Sequence, residues 1–224
     1  ELGAGTGGGT GGGGGGTGNE NQVGYDAVHG YYETVVIDDT LYRIESDIVM
    51  HQYNADGSSA GSDVRVNPYA EGNQIHPDIA LTESGSFVVA WIGESSEALN
   101  GVCARFYPGG QAQKEQVQVA GTKGMRCWDV DVSINETTGL VLITWVQGSK
   151  DGDTQADEMY GRFYDLNGNA KGSAFKIQSQ ISGYSVQEFD VETIYVDGKA
   201  RYICVWEMYN VKTRTYDVYQ KVIE

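Results

Sequence analysis

A four-fold internal repeat constrains the fold of this chain more than any other feature of its sequence. Four times, an aromatic residue or a proline precedes an aspartate and a short apolar run, and the four aspartates are Asp26, Asp78, Asp129 and Asp190. Their separations of 52, 51 and 61 residues correspond to a period of about 50 residues, which is typical of stacked repeat folds and of propellers in particular. The sequence therefore predicts one structural unit repeated four times.

Each repeat carries the strand signals of an antiparallel meander. A strongly β-forming run follows each aspartate, then a third run, and in the first three repeats a glycine turn and a fourth run follow. Asp56-Gly57 and Asn167-Gly168 are strong hairpin signals, and no segment has the 3.6-residue apolar period of a helix. We predict an all-β fold of four-stranded meanders arranged like a β-propeller, with blades at about residues 24–66, 67–120, 121–180 and 181–224.

Two sets of repeat-defining residues follow from this arrangement. Trp91, Trp145 and Trp206 occupy matching positions in the second strand of their repeats and are predicted to pack between blades, with a sugar-stacking platform as the alternative. The four repeated aspartates would lie on the innermost strands. Carboxylates gathered there repel one another unless backbone N–H groups or a cation compensate. We interpret them as acceptors that lock one repeat to the next, and a shared cation is the alternative.

One loop of repeat three carries a candidate metal site. Asp151, Asp153 and Asp157 crowd the segment between the second and third strands of that repeat, and clustered carboxylates on a loop can bind Ca²⁺. A solvated acidic loop is the alternative interpretation. The segment from Asp165 to Asn169 partly copies a calcium-loop motif, but it stands where the other repeats have a hairpin turn. No other cofactor is indicated.

The two ends of the chain suggest assembly. Residues 1–18 form a Gly- and Thr-rich tail that contains the run Gly11, Gly12, Gly13, Gly14, Gly15 and Gly16, and residues 19–224 form the repeat domain. The last repeat lacks a fourth strand run, so we expect its third strand, with Val218 and Val222, to present an unpaired edge. A strand donated by a neighbouring copy can satisfy such an edge, and head-to-tail contacts that do not close build a filament.

Composition and motif content argue against several functional classes. The net charge of −16 lacks the basic footprint of a nucleic-acid-binding protein, and no apolar run has the length of a membrane-spanning helix. The three cysteines do not have a metal-binding spacing. No histidine recurs with a partner, and no carboxylate pair is singled out, so the sequence predicts that the chain is not an enzyme.

The second repeat resembles a known type of secreted repeat. The segments that carry the resemblance run from Gln74 through Pro77-Asp78 to Leu81, from Gly85 to Trp91, and from Gly101 to Tyr107. They are similar to a repeat found in large secreted bacterial adhesin-like and haemolysin-type calcium-binding proteins. The resemblance implies an extracellular or cell-surface, non-enzymatic protein. We expect a self-assembling structural subunit whose partner is itself, and the alternative is an adhesin module that binds glycans or a protein through its blade loops.

Overall fold

The computed structural model describes residues 21–26, 30–37, 40–43, 46–69, 72–94, 101–113, 115–121, 125–149 and 157–224, with backbone alone for those before residue 46. This part of the chain is all-β, as predicted: it contains sixteen strands, one 3₁₀ turn at Pro108–Gly110, and no α-helix. The described strand pairings are antiparallel.

The strands follow the chain in the order of the repeats. They are β1 (Asn21–Asp26), β2 (Gly30–Ile37), β3 (Thr40–Arg43), β4 (Val49–Met50), β5 (Val64–Arg65), β6 (Asn73–Leu81), β7 (Phe87–Glu94), β8 (Gly101–Tyr107), β9 (Val117–Ala120), β10 (Met125–Asn135), β11 (Leu140–Ser149), β12 (Glu158–Asp165), β13 (Phe175–Gln178), β14 (Tyr184–Val196), β15 (Lys199–Asn210) and β16 (Thr215–Ile223).

Repeats two and three form the predicted four-stranded meanders. Their sheets have the orders β6-β7-β8-β9 and β10-β11-β12-β13, so each strand pairs with its neighbour in sequence. The turn between β12 and β13 contains Gly168 with φ of 79°, a backbone conformation that glycine adopts at no steric cost. Repeat four forms the three-stranded sheet β14-β15-β16. We refer to these as the repeat-two, repeat-three and repeat-four sheets.

Repeat one departs from the predicted meander. Its described strands form a three-stranded sheet, β1-β2-β3, and a separate pair, β4-β5. Only Asp38 and Asp39 separate β2 from β3, and a two-residue connection folds a strand straight back onto its predecessor. In the later repeats, the second strand continues through a tryptophan and pairs with the third strand along one edge. In repeat one, residues 40–43 pair with that edge of β2 instead.

The sheets stack face to face, and three apolar cores lie between them. One core joins the β4-β5 pair to the repeat-two sheet, the second joins repeats two and three, and the third joins repeats three and four. Trp91, Trp145 and Trp206 lie one in each core, each facing the repeat that precedes it, and all three are buried. Each interface between consecutive repeats therefore buries one large indole ring. A smaller residue at that position would leave a cavity in the core.

At two of these interfaces, a charged side chain on an outer strand of one repeat donates a hydrogen bond to the backbone of the preceding repeat. Arg105 on β8 donates from Nη1 to the carbonyl oxygen of Val66 at 2.7 Å, and Lys221 on β16 donates from Nζ to that of Ile177 at 3.0 Å. Val66 directly follows β5, and Ile177 lies in β13. In both cases the third strand of one repeat donates to a backbone carbonyl of the preceding repeat, at the end of β5 or within β13. Because β13 is the fourth strand of repeat three, β5 corresponds to the fourth strand of repeat one.

Candidate functional site

The first strands of repeats two, three and four, β6, β10 and β14, lie side by side and form the inner strands of the stack. Each is interrupted by one extra residue relative to its partner strand, between Ile75 and Asp78, between Cys127 and Asp129, and between Val186 and Phe189. Such bulges re-aim side chains and concentrate next to functional sites. Each of the three bulges contains or borders a titratable residue, and these residues are His76, Asp129 and Glu188.

A ladder of carboxylates connects the inner strands. Asp78 accepts the backbone N–H of Val132 through Oδ2 at 2.7 Å, and Asp131 accepts the N–H of Val191 through Oδ2 at 2.6 Å. Asp78, Asp131 and Asp190 lie opposite Ala90, Thr144 and Val205, the residues that directly precede the three buried tryptophans. They are therefore structurally equivalent, and each of the first two binds the residue after the next carboxylate.

This register corrects the set of repeated aspartates. Asp129 pairs with Val146, one residue beyond Trp145, and its carboxylate accepts the N–H of its own neighbour Val130 at 3.0 Å. Asp131 takes the position expected for Asp129, because the bulge of repeat three falls at a different point relative to its tryptophan. Asp26 ends β1 opposite Gly30, seven residues before the end of β2, so its backbone register does not match the ladder; its side chain lies outside the described residues.

Asp131, the middle carboxyl of the ladder, has a raised pKa. Burial raises the pKa of Asp131 well above the ordinary value, and the neighbouring carboxyls of Asp78 and Asp190 raise it further, while the Val191 N–H acts in the opposite direction. A neutral Asp131 removes the repulsion between adjacent carboxylates. The three carboxyls can therefore lie on neighbouring inner strands, where Asp78 and Asp131 are half-buried and Asp190 is exposed.

A second group, which we call the bulge cluster, consists of His76, Asp129 and Glu188. One member lies in or beside each bulge, and Asp129 interacts electrostatically with both of the others. Burial raises the pKa of Asp129, and Glu188 and Asp78 add to this effect, whereas the Val130 N–H and His76 lower the pKa. His76 and Glu188 are exposed. His76 has a φ of 50°, a left-handed conformation that costs energy for a residue other than glycine and that concentrates at functional sites.

A cavity of about 370 Å³ lies towards the opposite end of the same strands. Its lining combines the apolar side chains Ile79 and Leu81 with hydroxyls and two carboxylates, Glu136 and Glu192. Ser133 and Thr193 close part of its wall through a 2.9 Å contact between their hydroxyl oxygens. The inner strands thus present acidic groups at both ends.

The predicted calcium loop has a different role where it is described. Asp157 is buried and accepts the N–H of Val186 through Oδ2 at 3.0 Å, so it connects repeat three to repeat four. Asp151 and Asp153 lie outside the described residues. Among the residues that the structure describes, no group of three or more His, Cys, Asp or Glu side chains is arranged to hold a metal ion. A Ca²⁺ site that uses the undescribed part of this loop stays a prediction.

The predicted assembly residues lie at the other side of the molecule. Val218 and Val222 are exposed on β16, which pairs with β15 alone among the described strands. Gly11 to Gly16 lie outside the described residues. No sequence pattern marked Asp131, His76 or Glu188 as partners. The alternation Asp129-Val130-Asp131 was the one available signal, because residues two apart point to the same side of a strand.

Comparisons with known proteins locate the fold but not a family. No protein-family model matches the chain, and none of the curated proteins compared with it is similar. An endo-arabinase from Bacteroides thetaiotaomicron has a similar structure, with a TM-score of 0.50 and 14% identity over 91% of this chain and 74% of that one.

Two further solved structures have lower scores. A Hadza microbial sialidase gives a TM-score of 0.48 with 10% identity, over 88% of this chain and 43% of its own. An N-acetylgalactosamine deacetylase from F. plautii gives 0.48 with 8% identity, over 88% of this chain and 63% of its own. This chain therefore spans less than two thirds of the length of these two proteins.

These comparisons correct one expectation from the sequence. The chain was expected not to be an enzyme because its repeats were interpreted as scaffold, yet the endo-arabinase, whose structure is similar at a TM-score of 0.50, is an enzyme. The prediction that the chain is not an enzyme is therefore wrong as an inference from this architecture. At 14% identity, the similarity to the endo-arabinase establishes the fold alone. The described residues include no helix long and apolar enough to cross a membrane.

Proposed function

We propose that this chain is an extracellular β-propeller module that binds a glycan at the bulge cluster. The observation that carries the proposal is the electrostatic interaction of Asp129 with both His76 and Glu188, three residues that lie in or beside the bulges of three neighbouring inner strands. A carboxyl with a raised pKa beside an irregular stretch of backbone, as Asp129 is, is a candidate for a functional site. The stacked repeats serve as blades, and the cluster lies where their inner strands meet.

The chemistry of the cluster fits a polyhydroxylated ligand. Carboxylates accept hydrogen bonds from sugar hydroxyls, and an imidazole can accept or donate them. An endo-arabinase has a similar overall fold, at a TM-score of 0.50. The negative charge of the cluster favours neutral or amino sugars over anionic ones.

The same two carboxyls can support glycoside cleavage. That reaction needs one carboxylic acid with a raised pKa to protonate the leaving oxygen and a second carboxylate to assist a water or to act as nucleophile. Asp129 has the raised pKa and the partial burial of the acid, and Glu188, exposed on the adjacent strand, is the candidate for the second role.

A binding and hydrolysis screen tests this proposal. We expect the full chain to bind at least one neutral or amino-sugar polysaccharide in titration calorimetry. Asp129→Asn and Glu188→Gln should each weaken that binding by about tenfold or more, the value of a charged hydrogen bond. Asp217→Asn, on the remote strand β16, is the matched control. Binding that survives both cluster substitutions, or a complete absence of glycan binding, rules the site out.

Self-assembly into an extracellular filament is the second candidate function. It is supported by β16, whose nine residues pair on one side only among the described strands and include the exposed Val218 and Val222. A long exposed edge is a template for pairing with another chain, and the Gly-rich residues 1–18 are the proposed donor. Deleting residues 1–18 should abolish filaments seen by electron microscopy of the wild type. Unchanged filaments would exclude the tail as the connector.

A further inference from the structure

The β4-β5 pair covers only the outer part of one face of the repeat-two sheet. Val89 on β7 is buried in the core with Ile48 and Val66. Its partner Ile79, directly opposite on β6, belongs to the same face, yet Ile79 and Leu81 are more than half exposed. The same face is therefore closed at its outer strands and bare at its inner strand, which leaves room for further strands beside β4.

The repeat-four sheet has a bare face of its own. Val205, Val218 and Val222 occupy the positions that Ala90, Val102 and Phe106 hold in repeat two, as shown by the two strand registers. Those three residues are fully buried against repeat three, whereas the three valines are exposed. A face that is apolar at these positions is the face that a following repeat covers.

The chain itself positions a sheet between these two faces. Ser46 is anchored to the start of β6 by the hydrogen bond from the Gln74 N–H to its carbonyl oxygen, at 3.0 Å. The sheet β1-β2-β3 ends at Arg43, and three residues span at most about 11 Å. The sheet is thus tethered near the start of β6, the strand whose other end carries the exposed Ile79 and Leu81. Its strand β2 carries the apolar run Val35-Val36-Ile37.

We propose that the sheet formed by residues 21–43 of this chain packs between the bare faces of the repeat-four and repeat-two sheets and closes the stack into a ring. The β4-β5 pair then supplies the outer strands of the first blade, and β1-β2-β3 supplies its inner strands. The occupant is this segment of the same chain, because the tether keeps it at high effective concentration at the site. A second copy of the chain on the repeat-four face is the competing outcome.

Matched valine substitutions in the full-length chain test the closure. Val218→Lys and Val222→Lys alter residues that are 68% and 45% exposed, and Val64→Lys alters a control valine that is 48% exposed and lies on the side of the β4-β5 pair that faces repeat two. Closure predicts that the two β16 substitutions lower the melting temperature, while the control leaves it unchanged. Equal behaviour of all three variants overturns the proposal.

Two measurements on the wild-type chain test the closure without any substitution, so they do not require a variant to fold. Hydroxyl-radical footprinting should label Tyr216, on the repeat-four face, several-fold more slowly than Tyr53, which is similarly exposed on the loop after β4; equal labelling contradicts closure. Light scattering should give a monomer whose melting temperature does not depend on concentration. A dimer with protected Tyr216 would assign the face to a second copy instead and would overturn the intramolecular closure.

Discussion

The carboxylate of Asp131 and the backbone N–H of Val191 lie 2.6 Å apart across the interface between repeats three and four. Asp78 and Val132 repeat this contact one interface earlier, at 2.7 Å. A carboxylate that accepts an N–H from the neighbouring inner strand satisfies a backbone donor that no strand of its own sheet reaches. The repeats are therefore joined both by apolar cores and by directional hydrogen bonds, and this makes stability dependent on pH.

We expect Asp131→Asn to flatten the dependence of stability on pH. Because the pKa of Asp131 is raised in the folded state, its contribution to stability is full below the unfolded pKa of about 3.9 and is lost as the pH rises towards the folded pKa. The neutral amide does not titrate. The melting temperature of the wild type should therefore fall more steeply with rising pH than that of the variant. Parallel curves of melting temperature against pH for the wild type and Asp131→Asn would contradict the raised pKa of Asp131. The same flattening in Asp217→Asn would also contradict it.

Asp165→Asn should have the opposite pH dependence. Partial burial acts to raise the pKa of Asp165, but Lys171 at 2.9 Å and the N–H of Asn169 outweigh it and lower the pKa to about 2. Its stabilisation is present above the ordinary carboxyl pKa and is lost as the pH falls towards about 2. At neutral pH the variant should lose about 0.5 to 1 kcal/mol of unfolding free energy, since the pair lies at the surface. Denaturant melts at neutral and acidic pH check whether the loss shrinks on acidification.

Gly148→Ala should destabilise the interface between repeats three and four. A Cβ at this position would lie 2.6 Å from Cη2 of Trp128 and 3.2 Å from Oδ1 of Asp157, so the indole must move out of its packed position. Overpacking of this kind costs about 1 to 3 kcal/mol. Gly61→Ala is the control, because nothing lies within 4 Å of a Cβ built there. Equal melting temperatures for the two variants would show that Trp128 moves freely.

The buried tryptophans should differ in their response to phenylalanine. Trp91 donates from Nε1 to Oε1 of Gln74 at 2.8 Å, whereas Nε1 of Trp206 is buried with no hydrogen-bond partner among the described residues. Both substitutions remove similar volume, but Trp91→Phe also breaks a buried hydrogen bond, which costs about 1 kcal/mol or more. Chemical denaturation of the two variants measures the difference, and an equal loss would argue against this account.

Much of the fold follows from local patterns. β-branched and aromatic runs at fixed intervals predicted the strands of repeats two to four, and Gly168 marked a turn whose φ of 79° suits glycine. The matching tryptophans predicted one buried ring per interface. Repeat one differed because β3 begins only two residues after β2 and pairs back onto it, whereas tryptophan continues the second strand in the later repeats. The sequence shows that repeat one lacks the tryptophan of the other three repeats. It does not show that this repeat divides into the sheet β1-β2-β3 and the separate pair β4-β5.

The candidate site was much less accessible from the sequence. The position of each bulge decides which aspartate meets the next inner strand, and this position depends on pairing with the second strand and on the packing of the tryptophan. Repeat three therefore uses Asp131 rather than Asp129. His76, Asp129 and Glu188 are separated by more than fifty residues in each step, so no local pattern connects them.

The sequence by itself determined the all-β class, the repeat period and the apolar residues that separate one sheet from the next, because strand alternation and turn chemistry act over a few neighbouring residues. Only the tertiary structure decided which carboxyls share a ladder, which groups meet at the bulges and which sheet faces are bare. Those relationships arise from register shifts and from stacking between distant segments. Their free energies depend on contacts that exist only when the repeats are assembled.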